Sequence, residues 1–364
     1  CISSLVCEKI LGATLELYDY VLDALPPTPS KFHYIFNLRD LSRVFEGMSQ
    51  SCADSIASES AFVRLWRNEV LRVFHDRLVD SIDRNLVKQK IGSLVIDYFD
   101  CDENLLKHAL SDPVLFADFR TELLVGEETM EGEDTGVPEV QDGCSEGVQE
   151  PNDFSVESAL KTTRAQYKDV GTYEDVKITF QKALDSCGSK EGPNKKMNLV
   201  FFHDALEHAT RIHRVLRQER GHMLLIGDGG FGKQSLAKLA AAAAGCSVFE
   251  ITLTRGYDEN SFREDLKRLF TRVGVDNEKV VFLFTDNHVA NESFLEHINS
   301  ILTSGAVPAL YPDDEKHVIM RSVRDDALKE NVRDSKEELW RFFISRARMN
   351  LHIVLRMSPT GDLL

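Results

Sequence analysis

Residues 223–244 read MLLIGDGGFGKQSLAKLAAAAA, and the fold of the second half of the chain follows from them. Met223, Leu224, Leu225 and Ile226 make a short apolar run with the character of a buried strand. It breaks into a loop carrying Gly227, Gly229, Gly230 and Gly232. Lys233 follows at once, and an alanine-rich, helix-forming segment comes after it. Residues 227–233 fit G-x-x-x-x-G-K in the strand–loop–helix setting that a phosphate-binding loop requires. Glycines let the backbone turn its N–H groups toward phosphate oxygens. The helix N-terminus adds the positive end of a dipole, and Lys233 reaches the outer phosphates. The Ser/Thr that ligates Mg²⁺ is expected directly after the lysine; here Gln234 stands there and Ser235 comes one later.

A nucleotide site of this kind needs a second element, an apolar strand ending in an acid that holds Mg²⁺. Residues 280–286, VVFLFTD, supply it with Asp286. In hydrolysing relatives of such sites a glutamate follows that acid and prepares the attacking water. Here the residue is Asn287, which hydrogen-bonds to water but accepts no proton at neutral pH. Glu292, five residues on, is a substitute base or simply the first-turn acid of the next helix. Two further residues weaken the loop: Asp228 brings a carboxylate toward the phosphate position, and Phe231 is bulky where the loop must curl. The composition favours binding over turnover.

Around this centre the chain divides in three. Residues 1–24 carry Leu5, Val6, Ile10, Leu11, Leu15, Leu17, Val21 and Leu22 at helical spacing, and Pro26, Pro27 and Pro29 stop the helix. A second helix is expected in the later part of 31–48, a third over 60–83, and shorter apolar pieces over 91–124. From 126 to 152 the sequence is acidic, rich in Gly and Pro, and nearly free of large apolar residues, which predicts a disordered linker. Beyond it, strands (223–226, 247–253, 280–285, 351–357) alternate with helices (204–220, 233–244, 260–273, 292–304), the pattern of βαβ units and a parallel sheet. The expected fold class is α/β, a P-loop parallel sheet with flanking helices, preceded by a separate all-α domain. The expected domains are 1–125, a linker 126–152, and 153–364.

The 364 residues carry a net charge of −16. Eleven acids and no base lie in residues 122–153, which leaves −5 for everything else. That balance argues against a nucleic-acid partner. Seven cysteines show no C-x-x-C spacing, so reduced thiols are expected. No apolar run is long enough to span a bilayer, and no signal peptide is present. A soluble chain of the cytoplasm with no membrane partner is expected. The start at Cys1 reads as a fragment.

Three stretches carry a resemblance: residues 26–48 (PPTPSKFHYIFNLRDLSRVFEGM), 213–241 (HRVLRQERGHMLLIGDGGFGKQSLAKLAA) and 281–311 (VFLFTDNHVANESFLEHINSILTSGAVPALY). Together with LHIVLRMSPTGD at 351–362, they resemble the motor region of an axonemal dynein heavy chain of inner-arm type. The matching parts are the small helical (lid) domain of the third AAA+ module and the large domain of the fourth. The resemblance implies that Lys233 is the Walker A lysine, with Gln234–Ser235 a family trait and Ser235 the Mg²⁺ ligand beside Asp286. It implies that Gly227, Asp228, Gly229, Gly230, Phe231 and Gly232 surround the nucleotide phosphates and that Ser358 occupies sensor 1. Arg39 corresponds to the sensor 2 arginine of the preceding module. The family reads GVGGSGKQS, from which Asp228 and Phe231 depart. The fifth strand, the fourth lid, the principal ATPase module and the microtubule-binding stalk lie outside the matched stretches.

Two functions are therefore expected as alternatives. One is a segment of a motor ring that binds ATP or ADP with Mg²⁺ at a regulatory site of weak or no hydrolysis. Its place is then the ciliary or flagellar axoneme, part of the cytoskeleton, and its partners are neighbouring AAA+ modules, intermediate and light chains, and microtubules through the stalk. The other is a nucleotide-free structural segment that holds its neighbours in place.

Overall fold

The computed structural model describes residues 4–52, 56, 58–99, 103–119, 166–191, 199–230 and 232–359. The acidic stretch 126–152, the expected boundary at 125 and Phe231 lie outside them.

The first half is helical. α1 (Ser4–Ala24) ends before the prolines and buries Val6, Ile10, Ala13, Thr14, Leu17 and Val21, one stripe of its surface. α2 (Leu38–Met48) is started by a capping box: the Asn37 side chain accepts from the Arg39 N–H, and Asp40 accepts from the Asn37 N–H at 3.0 Å. α3 (Glu59–Val70) continues into a π turn (Leu71–His75) and stops. The single helix expected over 60–83 is thus two elements, because α4 (Ser81–Phe99) starts anew. One long-range and one local hydrogen bond hold the break open. The Val79 N–H donates to the Tyr34 hydroxyl at 3.1 Å, and Arg84 donates to the Leu78 carbonyl at 2.8 Å. α4 also absorbs the start of the region read as short apolar pieces, and α5 (Glu103–Leu110) follows. The core joins Leu17, Val44, Trp66, Phe74, Ile91 and Leu94. A buried polar contact in it is satisfied: Trp66 donates to Thr14 Oγ1 at 2.8 Å, and Thr14 donates to the Ile10 carbonyl at 2.6 Å.

The second half is the expected α/β layer. In chain order it holds α6 (Tyr173–Glu191), α7 (His203–Arg217), β3 (Met223–Ile226), α8 (Lys233–Ala244), β4 (Ser247–Phe249), α9 (Glu259–Phe270) and β5 (Val280–Thr285). Then come α10 (Glu292–Ser304), α11 (Asp313–Lys329), α12 (Lys336–Asn350) and β6 (Leu351–Met357). The sequence pattern did not separate α6, α11 and α12 from loop. The strands are parallel in the order β3-β6-β5-β4, with Ile226 beside Met357 and Thr285 beside Arg356. All six residues of β5 are buried, because both faces of the sheet are covered. Val281 and Leu283 meet the α8 alanines Ala237, Ala240, Ala241 and Ala244. Val280, Phe282 and Phe284 meet α9, α10 and α12 from the other side. The alanine run lets α8 lie close to both the sheet and α7. β4 is shorter than the expected 247–253; past Phe249, Glu250 is drawn to α8 by Gln234 and Lys238. β3 is the edge of the described sheet, and its Leu224 is 54% exposed.

The two halves interlock. β1 (Phe116–Ala117) pairs antiparallel with β2 (Lys168–Asp169). Leu115, Ala117 and Phe119, from the helical half, are buried in the core that α6, α7 and α8 form. Tyr167, from the other side of the acidic stretch, is buried in the helical core. Across this joint Glu69 of α3 and Arg214 of α7 pair at 2.8 Å, both buried.

Candidate nucleotide site

The carboxyl ends of three adjacent strands converge on one place, where open parallel sheets hold their ligands. β3 delivers the glycine loop, β5 delivers Asp286 and β6 delivers Ser358. The loop is anchored as it leaves the sheet by the Gly227 N–H, which donates to the Met357 carbonyl at 3.3 Å. Gly230 and Gly232 take φ of 88° and 74°, the left-handed region that a side chain disfavours. Gly232 is also the N-cap of α8, so the dipole of that helix points its positive end at the loop. The Lys233 ammonium is folded back over this loop. It donates to the carbonyl oxygens of Gly227 and, at 2.6 Å, of Asp228.

Gln234, at the place where a Mg²⁺ ligand was expected, turns away from the loop and donates to Glu250 at 3.0 Å. The Ser235 hydroxyl makes no hydrogen bond among the described residues. Asp286 accepts from the Ser358 hydroxyl through one oxygen and from the Asn287 N–H, at 3.0 Å, through the other. The Ser358 hydroxyl first, then the Asn287 amide and the nearby Arg356, hold its carboxyl below the usual carboxylate range. It is therefore ionised at neutral pH. Asn287 is exposed. Glu292 is the first residue of α10, exposed, behind the N-cap Asn291, so its carboxylate sits favourably on that helix terminus. Arg39 lies on the first turn of α2, outside this site. Its side chain is exposed, with no hydrogen bond or ion pair among the described residues, and Ile35 and Leu38 beside it are exposed as well.

Two residues of the site were not read from the sequence. His288 braces the turn after β5, where its Nδ1 accepts the Thr285 N–H at 3.2 Å. Burial lowers its pKa, so it stays neutral at pH 7 with the proton on Nε2. Glu250 clasps Gln234 and Lys238, tying the end of β4 to the start of α8. An acid at the carboxyl end of a parallel strand was the available signal for Glu250; nothing in the sequence pointed to His288.

The donor set fits a Mg²⁺-nucleotide. An ammonium and a helix N-terminus face the loop, and Asp286 and Ser235 carry oxygen atoms of the hard kind that Mg²⁺ prefers. The Asp228 carboxylate is the one residue of the described loop that opposes an anion.

A parallel sheet with a glycine loop after one strand and an acid after another, preceded by a helical lid, is a P-loop AAA+ architecture. Residues 197–364 match the family model for the P-loop containing dynein motor region D4, and residues 10–109 match the AAA+ lid domain. The chain is 47% identical over 359 residues to human dynein axonemal heavy chain 10, covering 99% of this chain and 7% of that protein. It is 48% identical over 357 residues to the dynein-1-alpha heavy chain of the flagellar inner arm I1 complex of Chlamydomonas reinhardtii, covering 98% and 7%. The ciliary dynein beta chain of Heliocidaris crassispina is 35% identical over 356 residues, with 98% and 7% covered. The chain belongs to the axonemal dynein heavy chain family, and it spans 7% of the length of these three relatives. No helix among the described residues is long and apolar enough to cross a membrane.

Proposed function

We propose that this chain is the part of a dynein motor ring that joins the third lid to the fourth large domain, and that its P-loop binds ADP or ATP with Mg²⁺ without efficient hydrolysis. The observation that carries this reading is the convergence of Lys233, Asp286 and Ser358 at one end of the sheet, with Asn287 where a carboxylate base would stand. Lys233 and the loop amides hold the phosphates, Asp286 and Ser235 hold the metal, and Ser358 orients Asp286. Asn287 fixes a water but takes no proton from it, so the site acts as a nucleotide sensor. Bound Mg²⁺ supplies charge neutralisation between the phosphates and Asp286. Glu292 belongs to its helix terminus in this reading and takes no part in chemistry.

The role extends to the whole protein. The relatives are named as axonemal, flagellar and ciliary dyneins. The place proposed for this chain is accordingly the cytoskeleton of the cilium or flagellum, in microtubule-based motility. Neighbouring AAA+ modules, intermediate and light chains, and microtubules reached through a stalk elsewhere in the heavy chain are the proposed partners. Arg39 is proposed as the sensor 2 arginine for a nucleotide of the preceding module; its exposure beside the exposed Ile35 and Leu38 supports that reading.

The second reading, a nucleotide-free structural segment, draws on the contacts of Lys233 with its own loop and on Asp228. Thermal and urea unfolding with Mg-ADP and Mg-ATP separates the two. At one hundred times its Kd a bound nucleotide adds about 2.7 kcal/mol. That gain is expected in the native chain and lost in Lys233→Ala, with phosphate release at background in both. Asp228→Val combined with Phe231→Ser is expected to tighten nucleotide binding roughly fivefold, the size of one removed like-charge contact. Nucleotide that stabilises neither the native nor the reverted chain would establish the structural reading.

A further inference from the structure

A cleft of about 730 Å³ lies on the joint between the two halves, away from the glycine loop. Arg43 and Arg72 reach it from the helical half, and Arg214, Arg217 and Arg220 from the end of α7 and the turn after it. Few of their N–H groups are used. Arg43 gives one nitrogen to Asp40 at 3.2 Å, and Arg72 gives two, to Glu69 and to the Arg43 carbonyl, both at 2.9 Å. Arg217 gives only Nε, to Asp118 at 2.8 Å. Arg220 has no side-chain partner among the described residues. Arg214 is 4% exposed; its Nε and Nη2 are bound at 2.8 Å, and its buried Nη1 has no partner. Three carboxylates line the same cleft: Asp118, already engaged by Arg217, and the exposed Glu46 and Glu219.

Cations in the last turn of a helix relieve its dipole. That accounts for Arg214 and Arg217, but not for guanidinium groups gathered from two domains around one cavity. The turn after α7 is also shaped for this placement. Arg220 holds φ of 56°, and a Cβ at Gly221 would stand 1.9 Å from the Val215 carbonyl oxygen, so only glycine lets the chain double back there. Guanidinium forks with free N–H groups on facing walls match oxyanions, which accept them in pairs.

We infer that this cleft is a second anion site, separate from the P-loop, for a ligand that presents several oxyanion groups, bound between Arg43 and Arg72 on one wall and Arg214, Arg217 and Arg220 on the other. Such a ligand cross-links the lid to α7, and α7 packs on the P-loop helix. The oxyanions have two sources: a dissolved polyphosphate, or the carboxylates of residues 122–153, which in sequence lie between the cleft residues Asp118 and Tyr167.

The test is calorimetric titration of the 364-residue chain with inorganic pyrophosphate, free of Mg²⁺. Lys233→Ala is carried throughout so that the P-loop does not contribute. A second chain carries the same change and has the eleven acids of 122–153 replaced by their amides. Pyrophosphate is expected to bind, and Arg217→Gln and Arg220→Gln are each expected to weaken it about tenfold, as for a lost charge-assisted hydrogen bond. Arg220 is exposed and unpartnered among the described residues, so Arg220→Gln should leave the urea midpoint unmoved, and Arg217→Lys, which keeps a cation beside Asp118, should retain more affinity than Arg217→Gln. Binding to the first chain identifies a dissolved ligand. Binding seen only in the amide chain identifies the chain's own carboxylates as the occupant. Either result supports an oxyanion site. Pyrophosphate that binds neither chain, or that binds equally well after both arginine replacements, overturns it.

Discussion

At the joint between the halves, Glu69 is fully buried and each of its oxygens has two donors. Asn68 and Tyr167 serve one oxygen at 3.0 and 2.7 Å, and Arg72 and Arg214 serve the other at 2.9 and 2.8 Å. At the carboxyl ends of the strands, Asp286 has one donor per oxygen, is only half-buried, and stands next to an exposed Asn287. The first carboxylate has no capacity left and the second keeps lone pairs for a ligand. A buried charge must be satisfied by the protein itself, since water cannot reach it. A charge at a binding site must stay partly unsatisfied, or nothing would bind. The joint is therefore built for holding, and the strand ends, in the function proposed above, for binding.

That contrast predicts where the chain breaks. Glu69→Ala leaves the buried Arg214 guanidinium without its counter-charge and is expected to cost about 3–5 kcal/mol, read from the urea midpoint. If the loss stays below about 1 kcal/mol, the joint is not a buried ion pair in solution. The nucleotide-dependent stabilisation lost in Lys233→Ala comes next in size, read as the difference between unfolding with and without nucleotide.

A third effect tests burial beside the joint. His213 is fully buried against Phe119, with neither ring nitrogen bonded, and burial, with Arg217 nearby, pushes its pKa down to about 3. In the unfolded chain it titrates near 6.5. Between those values the unfolded state binds the extra proton, so the contribution of His213 is complete above pH 6.5 and falls as the pH drops. From pH 7 to 5 that amounts to about 2 kcal/mol. His213→Phe keeps the ring contact and is expected to remove this share of the pH dependence. An unchanged slope would mean that water reaches the imidazole. The smallest effect is Ser358→Ala. Removing one partly exposed hydrogen bond is expected to cost about 0.5–1 kcal/mol. It should raise the titration of the Asp286 carboxyl, seen by carboxyl-carbon NMR; no movement would sever Ser358 from Asp286.

The site was legible in the sequence because its parts are local. The loop, Lys233 and the start of α8 are consecutive residues, and β5 announces itself as five apolar residues and a threonine followed by an acid. The helix stops at Gly245 and Gly305 read equally well, both with φ in the left-handed region. The lid was legible only as helical. Spacing alone ran α3 into α4 across 76–80, since no residue there forbids a helix; a hydroxyl supplied by Tyr34 from elsewhere in the chain draws the Val79 N–H away.

What the sequence determined by itself was the P-loop architecture, because a glycine loop between strand and helix is set by neighbouring backbone angles and by apolar period. What only the tertiary structure decided were the contacts made at long range. Glu69 meets Arg214 across 145 residues, Gln234 turns to Glu250 and away from the glycine loop, and five arginines from two domains face one cleft. None of these leaves a local pattern. A charged side chain reads as ordinary surface in a sequence, and only packing reveals which ones have been closed in and must find a partner.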